Sequence, residues 1–156
     1  MSVFLSPCHL EVTLMKKRIT IICVLLVCFL ILSNLLDRKT NVIIGKSTKF
    51  TQEEVQEAIS CVIENFEEKF PGCYLKKLWY EEEKSNAEIV SYMIWGKGSR
   101  NGVEKENVIV LFSNFYVNKS GGRYGSLNPN SYYKNFNWIL IRDSKNGNWK
   151  IDDSGY

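Results

Sequence analysis

Histidine is nearly missing from this 156-residue chain, which has one, His9. Beyond it, Ser–His–Asp and Cys–His catalysis are excluded, because a nucleophile there would have no imidazole base. Cysteine is sparse as well: five in all, with only Cys61 and Cys73 past residue 28. Two thiols fall short of the roughly four nitrogen or sulfur ligands that a structural zinc site takes. The phosphate-cradling pattern GxxxxGK[ST] is absent, and Gly121-Gly122-Arg123 does not complete it. Neither a metal nor a cofactor is expected. Disorder is excluded too, since 45% of residues are hydrophobic and 13% aromatic. The length allows about one domain, too little for a multidomain enzyme.

Long hydrophobic runs are also lacking, with one exception. It opens at Ile19 and closes at Leu36, 18 residues broken only by Thr20, Ser33 and Asn34. A bilayer-spanning helix needs roughly 17–25 predominantly apolar residues, so the run is long enough. Lys16, Lys17 and Arg18 precede it, the flank expected on the cytoplasmic side. No small-x-small cleavage site follows, and neither Cys23 nor Cys28 has the small preceding residue of a lipoprotein cysteine. Residues 15–37 are therefore expected to be an uncleaved single-pass signal anchor, with the N-terminus inside and the rest outside. Met15 opens a complete export signal, so residues 1–14 are expected to be a non-native or disordered extension. Residues 38–49 read as a tether.

The net charge of +3 points to nucleic acid only if the basic excess lies in the folded part. It does not. Residues 1–39 hold five basic and two acidic side chains, while the other 117 hold 15 of each. No nucleic-acid partner is expected.

One compact domain is expected over residues 50–156. Thr51 and Glu54 form a capping box, with Phe50 in the staple position. Val55, Ile59, Val62, Ile63, Phe66 and Phe70 follow at helical spacing, and Pro71-Gly72 ends the helix. Residues 73–81 read as a strand. Residues 85–95 read as a short helix opened by a second capping box (Ser85, Glu88), or as a strand, since Ile89, Val90, Tyr92, Ile94 and Trp95 favour one. Residues 96–106 read as loop. Residues 107–117 are apolar on both faces, as in a central strand. A polar loop over 119–134 leads to a strand at 136–143. Asn146-Gly147 signals a hairpin into a last strand at 149–153. The fold class is α+β: a long amphipathic helix on a curved antiparallel sheet of about four to five strands, with the short second helix as an alternative element.

This order of elements, with the closing hairpin and its Trp149-x-Ile151-x-Asp153, resembles the nuclear-transport-factor-two-like and cystatin-like folds. It also resembles small exported domains of unknown function from Gram-positive bacteria. The resemblance covers about residues 50–156 and implies shape without chemistry.

Candidate chemistry is thin. Cys61 and Cys73 either form a disulfide, which an extracytoplasmic setting permits, or stay as two buried thiols. Asp152 and Asp153 are adjacent on a strand and point to opposite faces, the wrong arrangement for shared proton transfer. Asp153, on the face of Trp149 and Ile151, is either a raised-pKa group in a sheet cavity or a strand-end carboxylate satisfied by backbone or by Arg142. With Tyr116 and Arg142 it forms a candidate pocket. The loop carrying Arg123, Tyr124, Asn128, Tyr132 and Tyr133 is a candidate glycan or peptide surface, or simply a loop packed by its own tyrosines. The expected function is a non-catalytic binding or packing module tethered to the bacterial envelope, with an envelope protein or glycan as partner. The alternative is a small-ligand-binding or pocket enzyme. An exposed sheet face used for dimerisation is a third reading.

Overall fold

The computed structural model describes residues 16–29, 39–122 and 126–156. It divides into two units, residues 1–39 and 40–156. In the first, residues 16–29 form a helix, α1, whose described residues are all exposed. Among the described residues, no helix is long and apolar enough to cross a membrane. The rest of the expected anchor, residues 15 and 30–37, lies outside them, as do residues 1–14.

The second unit runs β1 (Asn41–Ile44), α2 (Gln52–Lys69), β2 (Cys73–Tyr80), α3 (Glu82–Trp95), α4 (Gly98–Asn101), a 3-10 turn (Lys105–Asn107), β3 (Val108–Val117), β4 (Tyr132–Ile141) and β5 (Lys150–Gly155). The strands form one sheet in the order β1-β2-β3-β4-β5. Two expectations need correction here. Residues 41–44, expected in the tether, are the first strand. The sheet, expected antiparallel, is mixed, because β1 runs parallel to β2 with Val42 opposite Leu78. Parallel neighbours need a long crossover, and α2 supplies it.

α2 starts where the capping box places it: Thr51 Oγ1 accepts the Glu54 N–H at 3.2 Å, and Glu54 Oε2 accepts the Thr51 N–H at 2.8 Å. Val55, Ala58, Ile59, Val62 and Phe66 are buried against one sheet face. Burying a large side chain of this kind contributes about 2 kcal/mol. The chain then reverses through Gly72, whose φ of +79° a side chain would strain.

The other sheet face is not bare. Residues 85–95 are helical, and α3 begins at Glu82, ahead of the expected capping box. Ser85 is no cap. Its hydroxyl is buried and accepts the Val110 N–H at 3.0 Å. Successive β3 residues feed the two layers in turn: Ile109 and Leu111 belong to the α2 core, while Val108, Val110 and Phe112 pack with Ile89 and Tyr92 of α3. The expected loop at 96–106 contains α4. β4 begins at Tyr132, earlier than expected.

At the centre, the fully buried Trp138 donates its indole N–H to the buried Ser113 hydroxyl at 2.8 Å. Ser113→Ala strands that donor in an apolar layer, and we expect unfolding stability to fall by about 1–3 kcal/mol. Urea denaturation of the two proteins, compared at constant m-value, measures the loss.

Candidate functional site

Tyr116, Arg142 and Asp153 do not come together in the space between α2 and the sheet. That space is filled by Phe66, Leu78, Phe115, Trp138 and their neighbours, a continuous apolar core. The three residues stand apart. Tyr116 stacks on Tyr74, ring centres 6.5 Å apart, and its hydroxyl donates to Asn130 Oδ1. Arg142, just past β4, is 4% exposed. Its guanidinium lies 4.5 Å from the Trp149 ring centre and pairs with Glu54 Oε1 at 2.7 Å. Nε donates to Asn107 Oδ1 at 3.3 Å.

Asp153 faces the α3 side, not the side of Trp149 and Ile151. The cause is a β-bulge: Leu140 is opposite Ile151 but Ile139 is opposite Asp153, so Asp152 is an extra residue and the alternation slips by one. As a result Asp152 and Asp153 both serve α3 and the turn after it. Tyr92 donates its hydroxyl proton to Asp152 Oδ2 at 2.6 Å and accepts from Asn101 Nδ2 at 2.8 Å. Lys97 Nζ donates to the Asp152 carbonyl at 2.6 Å and lies 3.5 Å from Asp153 Oδ1. Adjacent carboxylates therefore share one side, contrary to the strand-parity expectation. Sequence reading missed this network because a bulge leaves no signal in composition.

The candidate loop surface divides between layers. Tyr133 stacks on Phe115 of the α2 core, ring centres 5.1 Å apart, and its hydroxyl accepts the Asn128 N–H at 3.1 Å. Tyr132 is exposed on the other side, with Lys134 Nζ 6.0 Å from its ring centre. Arg123 and Tyr124 lie outside the described residues. Cys61 and Cys73 are both free thiols. Cys61 Sγ donates to the Trp149 carbonyl at 3.4 Å, and Cys73 is buried in β2 opposite Val117. Burial pushes both thiols above their ordinary value, Cys61 with added help from Glu64. Protonated thiols are poor nucleophiles.

Concavities lie elsewhere; one of about 410 Å³ is formed by the segment from Ile44 to Val55, between the end of β1 and the start of α2. A polar cleft of about 720 Å³ lies between the α4–β3 connection and the β4–β5 hairpin, lined by Asn101, Glu104, Asn107, Arg142, Lys150 and Asp152 among others. Its charges are largely engaged: Arg142 with Glu54, and Lys150 with Asp143 at 2.8 Å. Tyr92 is held well above the ordinary phenol value, first by burial and then by its bond to Asp152, so it donates rather than takes a proton. A smaller groove of about 270 Å³ runs between α3 and the end of β5, with Glu88, Tyr92, Trp95, Asn137, Ile139 and Asp153 on its walls. Among the described residues, no three histidine, cysteine, aspartate or glutamate side chains converge to hold a metal ion.

A family model described as a domain of unknown function, DUF4829, matches residues 40–155. The chain belongs to that family. A search of curated proteins and a search of solved structures each found no match. The DUF4829 match begins at residue 40, one residue before β1, so it takes in the strand that the tether expectation left out.

Burial pushes the Glu54 carboxyl up, but the Thr51 N–H and the Arg142 guanidinium outweigh it, and the net displacement is below the ordinary 4.5. A carboxyl depressed in the folded state contributes its full stability above its unfolded value and loses it as pH falls through the folded one. We expect Arg142→Met, which leaves Glu54 without its cation, to cost about 3 kcal/mol in urea unfolding at pH 7. The same variant is expected to lose less stability than the wild type as pH falls below the ordinary carboxylate value of 4.5, because part of the acid-sensitive interaction is already gone. Parallel pH–stability curves for the two proteins would contradict this.

Proposed function

We propose that the chain is a non-catalytic binding module of the bacterial cell envelope, held at the membrane by residues 19–36 with its DUF4829 domain outside. The observation that carries the reading is α1. Its described part exposes Ile19, Ile21, Ile22, Val24, Leu25, Leu26, Val27 and Phe29, each at least 55% accessible. Apolar side chains on every side of a helix need an apolar medium around them. The basic flank at Lys16, Lys17 and Arg18 supports an inside N-terminus. The neutral charge of residues 40–156 supports a partner other than nucleic acid. Raised thiol values, a protonated Tyr92 and engaged ion pairs support binding rather than catalysis. The likeness to nuclear-transport-factor-two-like and cystatin-like folds belongs to the same proposal, supported by the long helix laid on the sheet. A second reading, small-ligand binding in the polar cleft beside Arg142, draws on the cleft's volume of about 720 Å³.

The membrane reading has a direct test. In membranes of cells producing the full chain, the protein is expected to stay in the pellet after alkaline carbonate extraction and to leave it with detergent. Replacing both Leu25 and Val27 by Arg is expected to shift it to the soluble fraction, since each central Arg costs about 2.5–3.5 kcal/mol on insertion scales. Recovery of the wild-type chain in the carbonate supernatant would overturn the tether.

A further inference from the structure

We propose that the groove between α3 and the end of β5 is a binding site for a neutral saccharide, with Trp95 as its stacking face. The inference rests on the binding-module reading and gives that module a ligand class. Trp95 closes α3 and is 84% exposed. Among the described residues no ring or cation stacks on it, whereas Phe50, Phe66 and Trp149 all sit against other rings. A large planar side chain in water at the mouth of a groove offers a flat apolar face to a ligand that has one.

The rest of the groove selects against other ligands. Glu88 and Asp153 stand on its walls without a lysine or arginine among the lining residues, and Lys97, which lies 3.5 Å from Asp153, is already bonded to the Asp152 carbonyl. A phosphate or carboxylate ligand would meet negative charge with no cation among the described lining residues to offset it. Ile139 is the only aliphatic side chain in the lining; the rest of its apolar surface is the faces of Tyr92, Trp95 and Tyr156, which suit a flat ring better than the flexible chain of a lipid. What the walls do offer are carboxylates, the Asn137 amide and the Ser91 and Ser154 hydroxyls, acceptors and donors suited to a ligand dense in hydroxyls. A sugar ring combines those hydroxyls with an apolar face of C–H groups. A free edge offered to a strand-forming peptide is blunted here by the Asp152 bulge and by Lys150, Asp152 and Asp153 along β5.

Gly155 supplies a probe. It lines the groove, and a Cβ built on it meets no heavy atom within 4 Å. A larger side chain there enters the groove while leaving the packed layers alone. The full chain, in a detergent without a sugar headgroup, is titrated by calorimetry with chitotriose, maltotriose and polyglycerol phosphate. One or both neutral trisaccharides are expected to bind, and polyglycerol phosphate is not. Trp95→Ala and Gly155→Leu are each expected to weaken the binding by about tenfold or more, with thermal unfolding unchanged. Tyr132→Ala, on the same sheet face but away from the groove, is expected to bind as the wild type does. Absence of binding by both trisaccharides, tighter binding of polyglycerol phosphate, or full binding by both groove variants would each overturn the proposal. Carbonate extraction reads the tether independently of all of them.

Discussion

The Glu54 carboxylate ties together the parts that close this domain. One oxygen accepts the Thr51 N–H and starts α2; the other holds the Arg142 guanidinium that follows β4. The Glu54 carbonyl accepts the Trp149 indole N–H at 3.0 Å, so the segment before β5 is tied to the same residue. Arg142 in turn lies over the rings of both Trp149 and Phe50, which meet edge to face at 5.7 Å. A helix start, a strand end and a hairpin are thereby fixed to one point. The guanidinium is almost fully buried, and a buried cation is tolerable only with its partner in place. Loss of either charge would therefore be felt across the whole closure.

The second controlling feature is the bulge at Asp152. An unbroken strand would alternate Trp149, Ile151 and Asp153 on one side. The extra residue keeps Ile151 with the α2 core and turns Asp153 toward α3. Tyr92 and Lys97 then find acceptors on β5, and α3 is secured over the sheet face that would otherwise be bare. That cover is partial. Tyr74, Tyr116 and Tyr132 share one cross-strand register at the far end of the same face, beyond the residues that pack on α3. At its other end α3 tightens onto the loop after β1. Glu82 accepts Thr48 Oγ1 at 2.6 Å and the Thr48 backbone N–H, bonds that lower its carboxyl to about 2. Its contribution is complete above the ordinary carboxylate value and is lost only as pH falls through about 2.

Long elements were legible in the chain because their signals are local. The α2 capping box, its apolar spacing and the Pro71-Gly72 stop all act within a few residues of one another, and α2 matches them. The apolar run of β3 marked a strand buried on both sides, and both layers pack on it. Short elements were not legible. β1 has four residues, Asn41–Ile44, too few for periodicity to show. Residues 85–95 suit helix or strand equally by propensity, and the choice falls to Ile89 and Tyr92 packing on Val108 and Val110. The candidate site fared worst. Tyr116, Arg142 and Asp153 are each accounted for by separate neighbours, while Trp95, read as a strand former, stands exposed at a groove.

By itself the sequence determined the class of the fold, its long helix and central strands, the neutral charge of residues 40–156, and the concentration of basic and apolar residues before them. Those are properties of composition and near-neighbour spacing. Tertiary structure alone decided that β1 joins the sheet in parallel, that Asp152 and Asp153 turn to one side, and that Arg142 is buried against Glu54. Each of these depends on residues far apart in the chain. Glu54 and Arg142 are 88 positions apart, Tyr92 and Asp152 are 60, and no local pattern records a pairing at that separation.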